Sequence, residues 1–251
     1  MLSLEGRNVL VTGGSRGIGR AACVLCSRVG ARVAIGYARD HQAARETAAE
    51  VAAAGAPALT LAADLALPGE AARLVARAEE ALGPLDVVVL NHGIWKRAPI
   101  EAMSDAQWDE MLRVNLSSVR EACSEAARRM LPRGRGNIVL VASTAGQRGE
   151  PFHSHYAASK GAVIALAKSL ASELGGRGVR VNCVAPGWVM TDMSREAIET
   201  TPGDGVRRAI PLGRAGTPEE IAGPIAFLAS DLSSYLHGQV LSVNGGAVMV
   251  G

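Results

Sequence analysis

The chain has 251 residues, of which 48% are hydrophobic, 20% charged and 3% aromatic, with a net charge of +2. So small a charge excludes the basic field of a nucleic-acid or membrane-surface binder, and so few aromatics exclude stacking platforms for single-stranded nucleic acid. No run of 18 apolar residues occurs, and Met1–Gly6 leads straight into a strand pattern; the expectation is a cytoplasmic protein without membrane association.

Arg7–Thr12 is an apolar strand ending in Gly13-Gly14-Ser15-Arg16-Gly17-Ile18-Gly19, after which a helical stretch begins. Strand, glycine loop and helix form the setting of a dinucleotide fingerprint. Glycines let the backbone turn tightly and approach a pyrophosphate, whose charge then sits at a helix N-terminus. Cys23 and Cys26 form a C-x-x-C, but they lie in the Ala/Leu/Val-rich segment 19–29, without a second pair or suitably spaced histidines. They read as buried packing residues, and no metal is expected. A second strand, Arg32–Tyr37, has no acid at its end; Tyr37, Ala38 and Arg39 stand there instead. Arg39 and Arg16 suit the 2′-phosphate of NADP(H) better than the bare ribose of NAD(H).

His41–Gly55 follows as an Ala/Glu-rich helix, then a third strand, Ala58–Ala62, with Asp64 and Leu65 just beyond its end, where Asp64 can reach an adenine ring. Pro68–Leu82 is a helix closed by Gly83-Pro84. Leu85–Leu90 is an unbroken apolar strand of the kind buried on both faces, and it runs into Asn91-His92-Gly93. Ser104–Leu131 is a long helical region with Asn115 inside it, a poor interior residue that hints at a bend. Asn137–Ala142 is the fifth strand and ends at Ser143, where open α/β sheets place ligands. Val179–Val184, ending at Pro186-Gly187-Trp188, and Gln239–Val243 complete the strands. Between them lie an irregular stretch from Thr191 to Pro211, with a lid expected over about 188–211, and a helix over Pro218–Ala229 capped by Thr217. This alternation predicts one α/β domain over residues 1–251, a doubly wound seven-stranded parallel sheet with helices on both faces.

The chemistry centres on Ser154–Lys160. Tyr156 and Lys160 are four apart, so a helix puts both on one face. A phenol of pKa about 10 is a poor acid–base catalyst at neutral pH, and a nearby ammonium favours its ionised form.

The chain resembles the short-chain dehydrogenase/reductase family over residues 4–251. The likeness rests on Thr12-Gly13-x-x-x-Gly17-Ile18-Gly19, Asp64, Asn91-x-Gly93, Asn115, Ser143, Tyr156-x-x-x-Lys160, Pro186-Gly187 and Thr191. It implies that Tyr156 protonates the substrate oxygen as hydride arrives, while Lys160 lowers the Tyr pKa and binds the nicotinamide ribose. Ser143 would hold the carbonyl and Asn115 would position a relay water. Thr191 and the backbone near Val189 would hold the carboxamide, with Asn91 and Gly93 on the adenine-ribose side. The family often has Asn-Asn-Ala-Gly where this chain has Leu90-Asn91-His92-Gly93, so His92 replaces a small residue. The runs Pro211–Ile221 and Gly238–Gly246 look like the NADPH-dependent 3-oxoacyl-acyl-carrier-protein reductase branch, of fatty acid biosynthesis. That branch implies a homotetramer built from 104–131 and 154–174, with Arg133, Arg135 and Arg177 beside the mouth to dock an acyl carrier protein. The same scaffold serves sugar, polyol, steroid and polyketide ketones, and could serve a non-catalytic nucleotide-binding regulator. His92, Trp95, Gln147, His153 and Trp188 are the expected substrate pocket.

Overall fold

The computed structural model describes residues 1–200 and 205–250. Seven parallel strands form one sheet in the order β3-β2-β1-β4-β5-β6-β7. They are β1 (Asn8–Thr12), β2 (Arg32–Tyr37), β3 (Leu59–Ala62), β4 (Val87–Leu90), β5 (Gly136–Val141), β6 (Val179–Pro186) and β7 (Val240–Val243). Side chains alternate between the two faces, as strand geometry requires. Leu10, Val88 and Leu90 enter the core beneath α3 (Glu70–Leu82), α5 (Ser118–Met130) and α7 (Ser154–Leu174). Val9, Val11, Val87 and Val89 enter the opposite core beneath α1 (Gly17–Arg28), α2 (His41–Ala54) and α10 (Pro218–Ala229). Both faces of each central strand are therefore apolar, which is why β4 reads as an unbroken Val-Val-Val-Leu run. Cys23 and Cys26 are fully buried in the second core. No helix among the described residues is long and apolar enough to cross a membrane.

Strand order reverses between β1 and β4, and this opens a crevice at the C-terminal edge of the sheet. Capping boxes start two helices: Ser104 with Gln107 on α4 (Asp105–Leu112), and Thr217 with Glu220 on α10. The helical region 104–131 is not one straight helix. A π-helical turn over Arg113–Ser117 separates α4 from α5, with Asn115 at its centre.

Two expectations change. The stretch 191–211 is not wholly irregular: α8 (Arg195–Thr200) and α9 (Gly205–Arg208) occupy it, and residues 201–204 of the expected lid lie outside the described residues. Ile198, Val206 and Ile210 supply a small apolar cluster against which Trp188 packs, enough to fix single helical turns that have no long periodic pattern. The arginines expected beside the mouth stand at the other edge of the sheet. Arg133 and Arg135 precede β5 and Arg177 precedes β6, so all three lie where strands begin, opposite the crevice. Arg133 donates to the Leu85 carbonyl at 2.6 Å and lies 3.6 Å from Glu79, while Arg135 pairs with Asp86.

Candidate active site

A cavity of about 670 Å³ runs along the C-terminal edge of the sheet, from the glycine loop to the start of α7. At one end, Gly13 adopts φ +64°, and a Cβ there would come within 3.0 Å of the His92 backbone. A Cβ on Gly19 would be 2.1 Å from the Gly13 carbonyl, so no side chain fits. Asn91 locks this turn from β4, its Nδ2 donating to the Thr12 and Gly13 carbonyls at 3.2 Å each. The N-terminus of α1 receives no side-chain cap from Arg16, and no acid stands in its first turn. Its N–H groups and partial positive charge face the cavity without a protein anion, a setting that fits a pyrophosphate.

Beyond the loop, Arg16, Tyr37, Arg39, Asp64 and Leu65 line the end of the cavity beside β2 and β3. Asp40, the nearest acid after β2, accepts from the Ala43 N–H at 2.9 Å as the cap of α2. Asp64 accepts from Arg39 at 2.9 Å and from the Ala66 N–H at 3.1 Å, and the Arg39 bond leads the lowering of its carboxyl pKa. The Arg39 side chain is 84% exposed, so turning toward an added anion would cost it only the surface pair with Asp64.

At the other end, Ser143, Tyr156 and Lys160 converge on the same cavity. Ser143 follows β5, and its Oγ accepts from the Ala145 N–H at 3.1 Å at the start of α6 (Ala145–Arg148). Tyr156 and Lys160 share one face of α7, with the Lys160 Nζ 5.9 Å from the Tyr156 ring centroid. Lys160 is buried and donates to the Val141 carbonyl at 2.9 Å. Burial pushes its pKa down to about 8 and pushes the Tyr156 phenol up to about 12, while a hydrogen bond with Ser143 pulls the phenol back. Burial, not the ammonium, dominates at Tyr156, contrary to the shift expected from the four-residue spacing.

Asn115 does not line the cavity; it braces the wall. Its Oδ1 accepts from the Ile94 N–H at 2.8 Å and its Nδ2 donates to the Ile94 carbonyl at 2.9 Å. The π turn places this amide beside Gly93, where a Cβ would come 3.2 Å from Asn115 Oδ1 and 3.4 Å from Lys160 Nζ.

His92 is a buried bridge. Its Nδ1 lies 2.7 Å from Thr12 Oγ1 and its Nε2 2.7 Å from Ser118 Oγ. Because the Ser118 hydroxyl donates to the Val114 carbonyl at 2.6 Å, Ser118 Oγ must accept from Nε2–H. Nδ1 is then left to accept from the Thr12 hydroxyl, which lies nearer to it than to its other acceptor, the Val89 carbonyl at 3.3 Å, so the neutral ring satisfies both nitrogens. Burial leads the drop of its pKa to about 3, with Lys160 and Arg113 adding to it.

Of the expected substrate pocket, His92, Trp95 and Trp188 line the cavity. Gln147 turns away, donating to Ser242 at 2.8 Å. His153 stands behind Trp95, stacked on it at 4.3 Å with planes 4° apart. Pro186, Gly187, Val189 and Thr191 form the remaining wall, with Thr191 Oγ1 3.0 Å from Ser194 Oγ. Sequence reasoning passed over Glu110, Arg148, Glu150 and Met193, which also line the cavity. Glu110 comes from α4, Arg148 from the end of the four-residue α6, and Glu150 and Met193 from loops, where no periodic signal marks them.

The family model described as Enoyl-(Acyl carrier protein) reductase matches residues 13–248. A 3-oxoacyl-[acyl-carrier-protein] reductase of Synechocystis sp. is 37% identical over 250 residues, covering 99% of this chain and all of that one. An L-rhamnose 1-dehydrogenase (NAD(P)(+)) of Sphingomonas sp. is 40% identical over 251 residues, covering 98% of each chain. A crystal structure from Beutenbergia cavernae, provisionally assigned as an NAD(P)-dependent gluconate 5-dehydrogenase and holding NADP, superposes with a TM-score of 0.92. It is 42% identical and covers 98% of each chain. Sheet order, glycine loop and the convergence of Ser143, Tyr156 and Lys160 agree with these matches: the chain belongs to the short-chain dehydrogenase/reductase family, NAD(P)-dependent oxidoreductases that act on CH–OH groups.

Proposed function

We propose that the protein interconverts a ketone and a secondary alcohol with NADP(H), using Ser143, Tyr156 and Lys160 on the reacting group. One observation carries this: a hydroxyl, a phenol and a buried ammonium meet in one cavity whose other end is an uncapped helix N-terminus framed by glycines. Bound there, the nicotinamide supplies or accepts hydride. Ser143 hydrogen-bonds the substrate oxygen, and Tyr156 delivers the proton to it in reduction, being protonated throughout the neutral range with its pKa near 12. Lys160 supplies the positive charge beside the phenol and a donor for ribose hydroxyls. Asn115 holds the Gly93–Ile94 backbone against the site through its paired bonds to Ile94.

The preference for NADP(H) is supported by Arg16 and Arg39 at the adenosine end, and by Asp40 being engaged as a helix cap and so withdrawn from a ribose hydroxyl. A second reading, reduction of a 3-oxoacyl thioester, draws support from the run Pro211–Ile221 and from the Synechocystis relative. Docking of a carrier through Arg133, Arg135 and Arg177 finds no support, because they stand at the far edge of the sheet. The test is oxidation of NADPH and NADH, followed at the nicotinamide absorbance, with acetoacetyl thioester beside a panel of ring and chain ketones. Turnover of a ketone with NADPH upholds the reading, and silence across the panel despite NADPH binding refutes it.

A further inference from the structure

Glu150 is a carboxylate that neither gives nor takes the proton in the proposed mechanism, though its charge adds to the raising of the Tyr156 pKa. It follows α6, lies in the wall of the same cavity as Tyr156, and has a side chain only 15% exposed. Its Oε1 accepts from the Trp95 indole N–H at 3.2 Å; Oε2 takes no hydrogen bond among the described residues. Its surroundings are rigid. Trp95 is stacked on His153 and meets Trp188 edge-on, 6.0 Å between centroids and 87° between planes. Trp188 is itself backed by the Ile198–Val206–Ile210 cluster. The Ala98 N–H donates to the Phe152 carbonyl at 2.8 Å, tying the Trp95 segment to the loop that carries Glu150.

Two aromatic walls at right angles and one fixed, half-satisfied carboxylate discriminate between substrate chemistries. An alkyl chain laid against Glu150 would strip water from the charge and return no donor, which is strongly unfavourable. A hydroxylated ring or chain offers C–H edges to the indoles and O–H donors to the carboxylate. An ammonium suits the corner less, because His153, with Nδ1 3.8 Å from Oε1, and Arg148 already act on the same carboxylate.

We propose that Glu150, oriented by Trp95, determines specificity, and that the substrate is a sugar or polyol one of whose non-reacting hydroxyls donates to Glu150. This rests on the oxidoreductase reading and names the substrate class of that same site. In oxidation the substrate C–H bond breaks, its hydride passing to the nicotinamide, while the O–H proton passes to the ionised Tyr156 oxygen and C=O forms; reduction is the reverse. Glu150 takes part in neither transfer.

The test measures kcat/KM with NADP(H) for sugars and linear polyols, for cyclohexanol and cyclohexanone, and for acetoacetyl thioester, in the wild type and in Glu150→Gln. The variant keeps an acceptor for Trp95 and removes the charge. The expected result is a wild-type preference for a polyhydroxylated compound, reduced in the variant by about 10- to 100-fold, the worth of a charge-assisted hydrogen bond. Cyclohexanol turnover and NADPH binding, followed by fluorescence, stay within about twofold, as expected for a polar contact that leaves the packing unchanged. Wild-type preference for the thioester or the monoalcohol overturns the substrate class and leaves the reductase reading intact. Equal losses for hydroxylated and plain alcohols make Glu150 structural and overturn its role. No turnover of any compound with NADPH bound overturns both readings.

Discussion

His92 should make this fold acid-sensitive in a way that one substitution removes. In the unfolded chain its imidazole titrates near about 6.5; in the folded protein it is held neutral down to about 3. Between those values the unfolded state binds the extra proton, so stability falls as pH falls, and it is fully present only above the unfolded pKa. Each pH unit below about 6.5 removes about 1.4 kcal/mol, which amounts to about 2.7 kcal/mol by pH 4.5. The geometry adds to the cost of the proton: Nε2–H already donates to Ser118, and a second N–H would force the Thr12 hydroxyl to turn its proton from Nδ1, at 2.7 Å, to the more distant Val89 carbonyl, at 3.3 Å. His155, also buried and shifted down, adds to the same window, so the informative quantity is a difference between variants. Urea unfolding of wild type and His92→Ala at steps from pH 7.5 to 4.5 measures it. The variant starts less stable, with its Thr12 and Ser118 partners lost, but its stability falls less steeply, by about one proton's worth. Parallel curves for the two proteins would refute the account of His92 as a buried neutral bridge.

Tyr156→Phe should abolish turnover while NADPH fluorescence still titrates normally; lost binding would mean the residue holds the cofactor site together and need not transfer a proton. Arg39→Ala should raise the KM for NADPH by about tenfold and that for NADH by less than about threefold, since a charge-assisted contact to a phosphate is lost. Equal changes would reduce Arg39 to the surface partner of Asp64 that the 2.9 Å pair already makes it. In Gly19→Ala the new Cβ would fall 2.1 Å from the Gly13 carbonyl and 2.6 Å from Asn91 Nδ2, so the thermal midpoint drops and NADPH binding disappears. A variant with wild-type melting and affinity would contradict the glycine loop geometry. Lys160, shifted down to about 8, should make kcat/KM for NADPH, which reports the free enzyme, level below that pH and falling about tenfold per unit above it. A profile level to about pH 9.5, close to the unperturbed lysine value, would contradict the burial of its ammonium.

Much of this was legible in the chain because the signals are local and periodic. β4 declares itself as Val-Val-Val-Leu, since a strand buried on both faces leaves no polar position to break the run. Asn115 betrayed its bend because an amide inside a helix competes with the backbone, and the structure spends that amide on Ile94. The rest depended on contacts distant in sequence. Gln147 sits one turn of α6 from the cavity wall, and only the neighbouring β7, with Ser242, decides which way it turns. Glu150 carries no periodic or motif signal; its meaning comes from Trp95, 55 positions earlier. The placement of the arginines is what chain order decides. Arg135 directly precedes a parallel strand and Ser143 follows the same strand, so chain order alone separates them by the length of β5.

The pair that gives the site its chemistry is tuned differently from what its spacing suggests. Tyr156 near 12 and Lys160 near 8 are displaced in opposite directions by the same cause, loss of water around a charged form. As pH rises the proton therefore leaves Lys160 before it leaves Tyr156, and the neutral phenol persists across the whole range in which the ammonium is present. That ordering suits reduction, where a neutral phenol must give its proton to a nascent alkoxide, a far stronger base. Oxidation asks for the ionised phenol beside the ammonium, and burial penalises both charges unless they stabilise each other. The 5.9 Å between Nζ and the ring, with Nζ held on the Val141 carbonyl, limits that mutual help. Ser143 is the group that does reach the phenol, and its hydrogen bond is what pulls the Tyr156 pKa back toward the useful range. In the proposed mechanism Ser143 thus has two tasks from one position after β5: it favours the phenolate in one direction and would hold the substrate oxygen in the other. Ala cannot replace it for either task, whichever alcohol the pocket selects.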